Sequence, residues 1–189
     1  MKRVFCELES LSSVAFCKPS QEKKNQNESM EDFERRVWVE RCHVNGNNEL
    51  EIPGIMFKKS LESASKFLNM KIKGEGNSTY TKNFKAGIAI TSPVALGVKK
   101  ENIKGDWQYV PSDGKVGGSS RVYKCFPQVD KWNGALEVVI LDDKITEDVF
   151  KKTLDAAGMF IGVGRFRPIN GGDKGRFKVT SVKFENIVV

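Results

Sequence analysis

The chain has 189 residues, with 31 Lys and Arg against 24 Asp and Glu, and so a formal charge of +7. Hydrophobic residues are 39% and charged residues 29%, a globular composition at a length that buries a core without staples. No run nears the ~20 apolar residues of a membrane span; a single histidine excludes a multi-histidine metal site, and four cysteines without CxxC spacing favour reduced thiols over a disulfide framework or a zinc site.

Residues 2–9 alternate Val4, Cys6 and Leu8 against Arg3 and Phe5, which predicts a first strand. Its acidic turn at Glu7 comes before any signal-peptide apolar run can form. Residues 18–29 hold no aliphatic or aromatic side chain and predict a mobile arm. Ser29 and Asp32 have N-cap spacing for a helix over 30–42, with Phe33, Val37, Trp38 and Arg41 on one face. Asn45-Gly46-Asn47-Asn48 predicts a turn into a short strand, Leu50 to Ile52.

The strongest helical stripe is Phe57, Leu61, Ala64 and Leu68, within 55–69. Residues 71–85 then read as a basic, aromatic loop. Short strands are expected at 87–90, 94–98, 107–110 and 121–126, and a buried strand at 134–142. A helix follows over 146–158 with Glu147 and Asp148 in its first turn and Gly158 as its stop, and the last strand spans 176–184 with Phe177 and Val179 inward. The strong elements run βαββαβ, an α+β class with a ferredoxin-like or RRM-like core. Residues 10–53 would be a helical insertion and 91–132 a β-hairpin insertion in a single domain.

Three basic segments could carry chemistry. In 158–178, six glycines alternate with Arg165, Arg167, Lys174, Arg176 and Lys178, while Phe160, Phe166 and Phe177 offer rings. Glycines let amides approach a phosphate, and arginines bring planar forked donors. The run is neither a Walker A motif nor a dinucleotide fingerprint. Residues 56–85 carry seven lysines, among them Lys58, Lys59, Lys66, Lys73 and Lys82, against Glu62 and Glu75, with Tyr80 interleaved. Such a mixture suits a single-stranded backbone with stacked bases. In 111–124, Lys115, Arg121 and Lys124 outnumber Asp113. Each segment read alone also fits a solvated surface, and their convergence is a matter for the fold. His43 follows Arg35, Arg36 and Arg41 and is the one candidate general base for RNA cleavage; a turn histidine beside Asn45-Gly46 is the plainer reading.

Two of these stretches resemble motifs of the RAMP superfamily, the RRM-like proteins that build CRISPR effector complexes. Ile52-Pro53-Gly54 leading into Phe57-Lys58-Lys59-Ser60-Leu61 is similar to the superfamily's run into its first helix, without the usual second glycine. Ile161-Gly162-Val163-Gly164-Arg165-Phe166-Arg167 through Gly171-Gly172 to Gly175-Arg176-Phe177-Lys178-Val179 is similar to its glycine-rich loop. Most of 30–184 also resembles a group of phage-encoded proteins without assigned activity. The typical strings are Phe33-Glu34-x-Arg36-x-Trp38-x-Glu40-Arg41-x-His43-Val44 and Pro111-Ser112-Asp113-Gly114-Lys115. The RAMP resemblance implies binding of single-stranded RNA or DNA in head-to-tail assemblies, and points to Lys58, Lys59, Arg165, Arg167, Lys174 and Arg176.

The leading expectation is therefore a non-enzymatic, phage-type, cytoplasmic protein without cofactor or metal. It binds single-stranded RNA or DNA and self-assembles as a homo-oligomer. One alternative is a protein-interaction module that mimics a RAMP subunit to inhibit a host CRISPR complex. A second is a metal-independent endoribonuclease using His43.

Overall fold

The computed structural model describes residues 1–112 and 120–187. Strands are β1 (Lys2–Ser10), β2 (Val14–Ala15), β3 (Glu49–Ile52), β4 (Ile88–Ala89), β5 (Val94–Lys99), β6 (Lys104–Pro111), β7 (Arg121–Val129), β8 (Asn133–Ile140) and β9 (Phe177–Asn186). Helices are α1 (Met30–Val37), α2 (Gly54–Leu68), α3 (Thr81–Ala86) and α4 (Glu147–Ala156).

The central sheet has the order β4-β8-β1-β9, with antiparallel neighbours throughout. With α2 after β1 and α4 after β8, this is the expected βαββαβ arrangement. The alternation in β1 sorts its side chains: Val4, Cys6 and Leu8 are buried with Leu136, Val138 and Ile140 of β8, under Phe57, Leu61 and Ala64 of α2 and Phe150 and Leu154 of α4. Burial pushes the Cys6 thiol up to about 12, so it packs as a small apolar group. All four cysteines are free.

The insertions build two smaller sheets, β2-β7-β6 and β3-β5. The predicted hairpin is β6–β7, paired from Lys104↔Gln128 to Pro111↔Arg121. β5 pairs with β3 instead and closes the core with Leu50, Ile52, Val94 and Leu96.

Several expectations need correction. The helix begun by Ser29, whose Oγ accepts from Asp32 N at 3.0 Å, ends at Val37 and tightens into a 3₁₀ turn, Trp38–Arg41. The arm at 18–29 is tied down: Arg36 donates to Glu28 at 2.8 and 3.0 Å, to Glu22 at 3.3 Å and to the Lys23 carbonyl at 3.0 Å. The Arg36 bonds to Glu28 and that of the Asn25 amide lower the Glu28 carboxyl to about 2. A short helix, α3, stands in the segment read as loop. Gly158 does not stop its helix either, because the chain continues as a π-helical turn, Ala157–Ile161. There Gly158 is buried against the Phe177 carbonyl and ring, where a Cβ would collide.

Candidate nucleic-acid interface

The glycine-rich loop joins the π turn to β9 and folds against the chain itself. Gly162, Gly164, Gly171 and Gly175 all have positive φ, between 74° and 80°, and Phe166 sits at 57°. Cβ atoms on Gly172 and Gly175 would overlap the Phe166 and Val163 carbonyls. The loop amides are largely consumed. Val163 N donates to Gly175 O (3.0 Å), Arg165 N to Ala15 O (2.8 Å), Lys174 N to Phe166 O (3.0 Å) and Gly175 N to Ser13 O (2.7 Å). The expectation that glycines free amides for phosphate is thus corrected at these positions: they permit close backbone packing instead. What the loop presents outward is side chains.

Arg165 is exposed, its guanidinium 5.1 Å from the Phe166 ring and 5.9 Å from Phe126. Phe166 meets Phe126 of β7 edge-on at 4.7 Å. Lys174, expected at a phosphate, is instead a strut: its ammonium pairs with Asp106 of β6 and donates to Gln128 of β7 at 2.6 Å. The loop and the hairpin, far apart in sequence, therefore converge. Asp106, Phe126 and Gln128 form the hairpin face that meets the loop, and Lys124 and Gln108 lie further out on it, because cross-strand partners share a face.

The opposite hairpin face is clamped by α1. Arg41 of the 3₁₀ turn donates to both oxygens of Glu34, Nε at 3.0 Å and the terminal nitrogen at 2.6 Å, and Glu34 also accepts from Cys125 N at 3.0 Å. All three groups are buried. Trp38 lies over Gly105, and Arg35 sits 5.2 Å from the Trp107 ring. Beyond the clamp, Tyr109 and Tyr123 face each other across the strands at 5.0 Å, 54% and 53% exposed, beside Trp107 at 37%. Arg121 is exposed and donates to the Tyr109 carbonyl at 3.3 Å. These aromatics escaped the sequence reading, although Trp107-x-Tyr109 and Tyr123-x-Cys125 alternate at strand spacing and carried the signal.

The third basic segment does not join the cluster. Glu75 pairs with Lys144 and Asn83 donates to Asp142 at 2.7 Å, which holds 71–85 beyond the C-terminal end of β8, where Ile140 pairs with Lys2. The glycine-rich loop enters β9 at Phe177, opposite Ser10. Eight residues of strand separate the two ends, roughly 25 Å. Lys73 and Lys82 are exposed at the far end, and Tyr80 is buried, so its ring offers no stacking face. Lys58 donates to the Ile88 carbonyl at 2.5 Å, which ties α2 to β4, and Lys59 pairs with Glu62. Lys66 is exposed on the last turn of α2. Arg167 is half-buried, and Arg176 donates from Nε to the Met159 carbonyl at 3.0 Å. Lys115 lies outside the described residues.

His43 is half-buried, its ring 6.4 Å from Phe16, and burial together with Lys18 lowers its pKa. The arginines near it in sequence are committed elsewhere: Arg36 to the arm, Arg41 to Glu34 and Arg35 to Glu31 at 2.8 Å. The open face of the central sheet, where RRM proteins stack bases, carries Glu7, Glu9, Glu137 and Glu185 against Arg3, Lys178 and Lys183, with Phe5 its one ring among the described residues. Arg3 pairs with Glu137 and Lys178 with Glu9, so this face is close to neutral and offers a polyanion little positive charge.

No protein-family model matches the chain, and no curated protein matches it. Solved structures do. A chain of the type III-B Cmr-beta complex bound to cognate target RNA matches with a TM-score of 0.57 at 13% identity, over 97% of this chain and 60% of that one. The present chain thus spans about three fifths of that protein's length. Cmr6 from Pyrococcus furiosus matches with a TM-score of 0.50 at 11% identity, over 94% of this chain and 98% of that one. The fold is that of the Cmr-type RAMP proteins. In this RAMP-like fold the β6–β7 hairpin is an insertion between the second and third strands of the core, and the glycine-rich loop precedes the fourth.

Proposed function

We propose that this RAMP-like chain binds single-stranded nucleic acid, RNA foremost, through the loop–hairpin cluster, as a non-enzymatic subunit that assembles in repeated copies along the strand. The observation that carries the reading is the meeting of loop and hairpin, where exposed Arg165 lies beside half-buried Phe166 over the buried Phe126 ring, on the fold of a chain from an RNA-bound Cmr complex. A guanidinium binds phosphate oxygens, and neighbouring Lys124 extends the positive surface along the hairpin. The RNA preference is drawn from the RNA-bound neighbour alone. Sequence selectivity is expected to be weak, since the cluster holds few amide side chains for base edges.

The test is fluorescence anisotropy with labelled single-stranded RNA, single-stranded DNA and duplex over a salt series. Single strands bind with a negative log–log salt slope. Arg165→Ala with Arg167→Ala weakens binding and flattens that slope by about 0.7 for each phosphate no longer neutralised. Absence of binding to all three overturns the reading.

A further inference from the structure

Tyr109 and Tyr123 form an exposed aromatic surface that neither the core nor the clamp uses, and Trp107, 37% exposed, stands beside them under Arg35. Their rings are outside the hydrophobic core, and the hairpin is already held by Glu34–Arg41 on one face and Lys174–Asp106 on the other. Half-exposed tyrosines on a projecting hairpin lower solubility unless something covers them. Trp107 and Tyr109 are two residues apart on one strand, so their Cβ atoms are separated by about 6.8 Å. That is twice the ~3.4 Å repeat of stacked bases, enough for one planar ring between them. Two guanidiniums flank the place, Arg35 at the Trp107 ring and Arg121 at the strand end opposite Pro111. The carboxylates of α1 on this side of the hairpin include Glu31, paired with Arg35, and Glu34, paired with Arg41. Flat apolar rings beside positive charge match an unstacked nucleobase attached to a phosphate.

We propose that Trp107, Tyr109 and Tyr123 form a base-stacking site for an unpaired nucleobase, with Arg121 and Arg35 drawing the adjoining phosphates. The inference rests on the nucleic-acid reading above and adds a second binding zone on the α1 side of the hairpin, separate from Arg165. Stacking is insensitive to salt, whereas the phosphate contacts of the arginine loop depend on it; neither selects strongly among bases.

The experiment uses the full chain and a single-stranded RNA carrying one 2-aminopurine, whose fluorescence is quenched on stacking. Wild type binds and quenches the probe. Tyr109→Leu with Tyr123→Leu retains the fold, checked by circular dichroism, loses the quench and binds on the order of tenfold weaker with an unchanged salt slope. Tyr109→Phe with Tyr123→Phe keeps the rings and behaves as wild type, which guards against a folding defect. If the leucine variant binds and quenches as wild type while Arg165→Ala with Arg167→Ala loses affinity, the stacking site is overturned and the binding function stands. If the leucine variant instead loses self-association on a sizing column with RNA affinity intact, the surface is a protein interface and the inference fails. If wild type binds no RNA, the functional reading itself has failed.

Discussion

At the scale of the residue, two kinds of position carry the site without touching a ligand. Glu34 satisfies Arg41 and the Cys125 amide together, in a place both side chains barely share with solvent. Removing one partner of such a pair leaves a buried charge and costs about 3–5 kcal/mol. Glu34→Ala is therefore expected to lower the Tm by about 10 °C, while Arg35→Ala, at an exposed pair, moves it little; similar shifts for both would contradict the clamp. The loop glycines divide by their surroundings. Gly171 has φ +80° with open space around it, so alanine there meets only left-handed strain, about 1–2 kcal/mol. Gly175 has φ +77° and the Val163 carbonyl against it, so Gly175→Ala should lose at least twice as much in a thermal melt. His43 titrates in a predictable sense. Burial and Lys18 depress its folded pKa below the ordinary 6.5, so the unfolded chain takes up the proton first. Its contribution to stability is complete above pH 6.5 and is lost as pH falls through the folded pKa. His43→Phe should flatten the melting curve's acid dependence between pH 7 and 5.

At the scale of the element, the hairpin's orientation depends on what grips its two faces. Asp106 and Lys174 are both largely buried, which makes their pair worth more than a surface bridge. A double-mutant cycle on Asp106→Asn and Lys174→Met should show a coupling of about 1 kcal/mol or more in stability, and both single variants should weaken RNA binding while leaving the salt slope unchanged. Sequence patterns disclosed elements where one periodicity ran long enough. β1 and the α2 stripe were legible because alternation and 3.6-residue spacing persist over nine and fifteen residues. α3 was not, since six residues hold too little of a period, and the π turn was hidden because Gly158 looks like a helix stop while in fact it packs against Phe177. The glycine-rich loop was found for its composition, but its amides turned inward. Whether a glycine serves a ligand or a neighbouring carbonyl is decided by tertiary packing.

At the scale of the molecule, the core order βαββαβ was readable from the succession of elements. Which basic segments share a surface was not, because that depends on strand register. Pairing of β1 with β8 and β9 in antiparallel register sends 71–85 to one end of the sheet and the glycine-rich loop to the other. The charge of +7 is therefore unevenly distributed, with a nearly neutral open sheet and a cationic, aromatic hairpin region. The same distribution yields the most direct test of the central claim. The protein is irradiated with bound single-stranded RNA and the crosslinked peptides are identified by mass spectrometry. Crosslinks are expected in 104–112, 120–129 and 162–176. Crosslinks confined to the open face of β1 and β9 or to 71–85 would contradict the account.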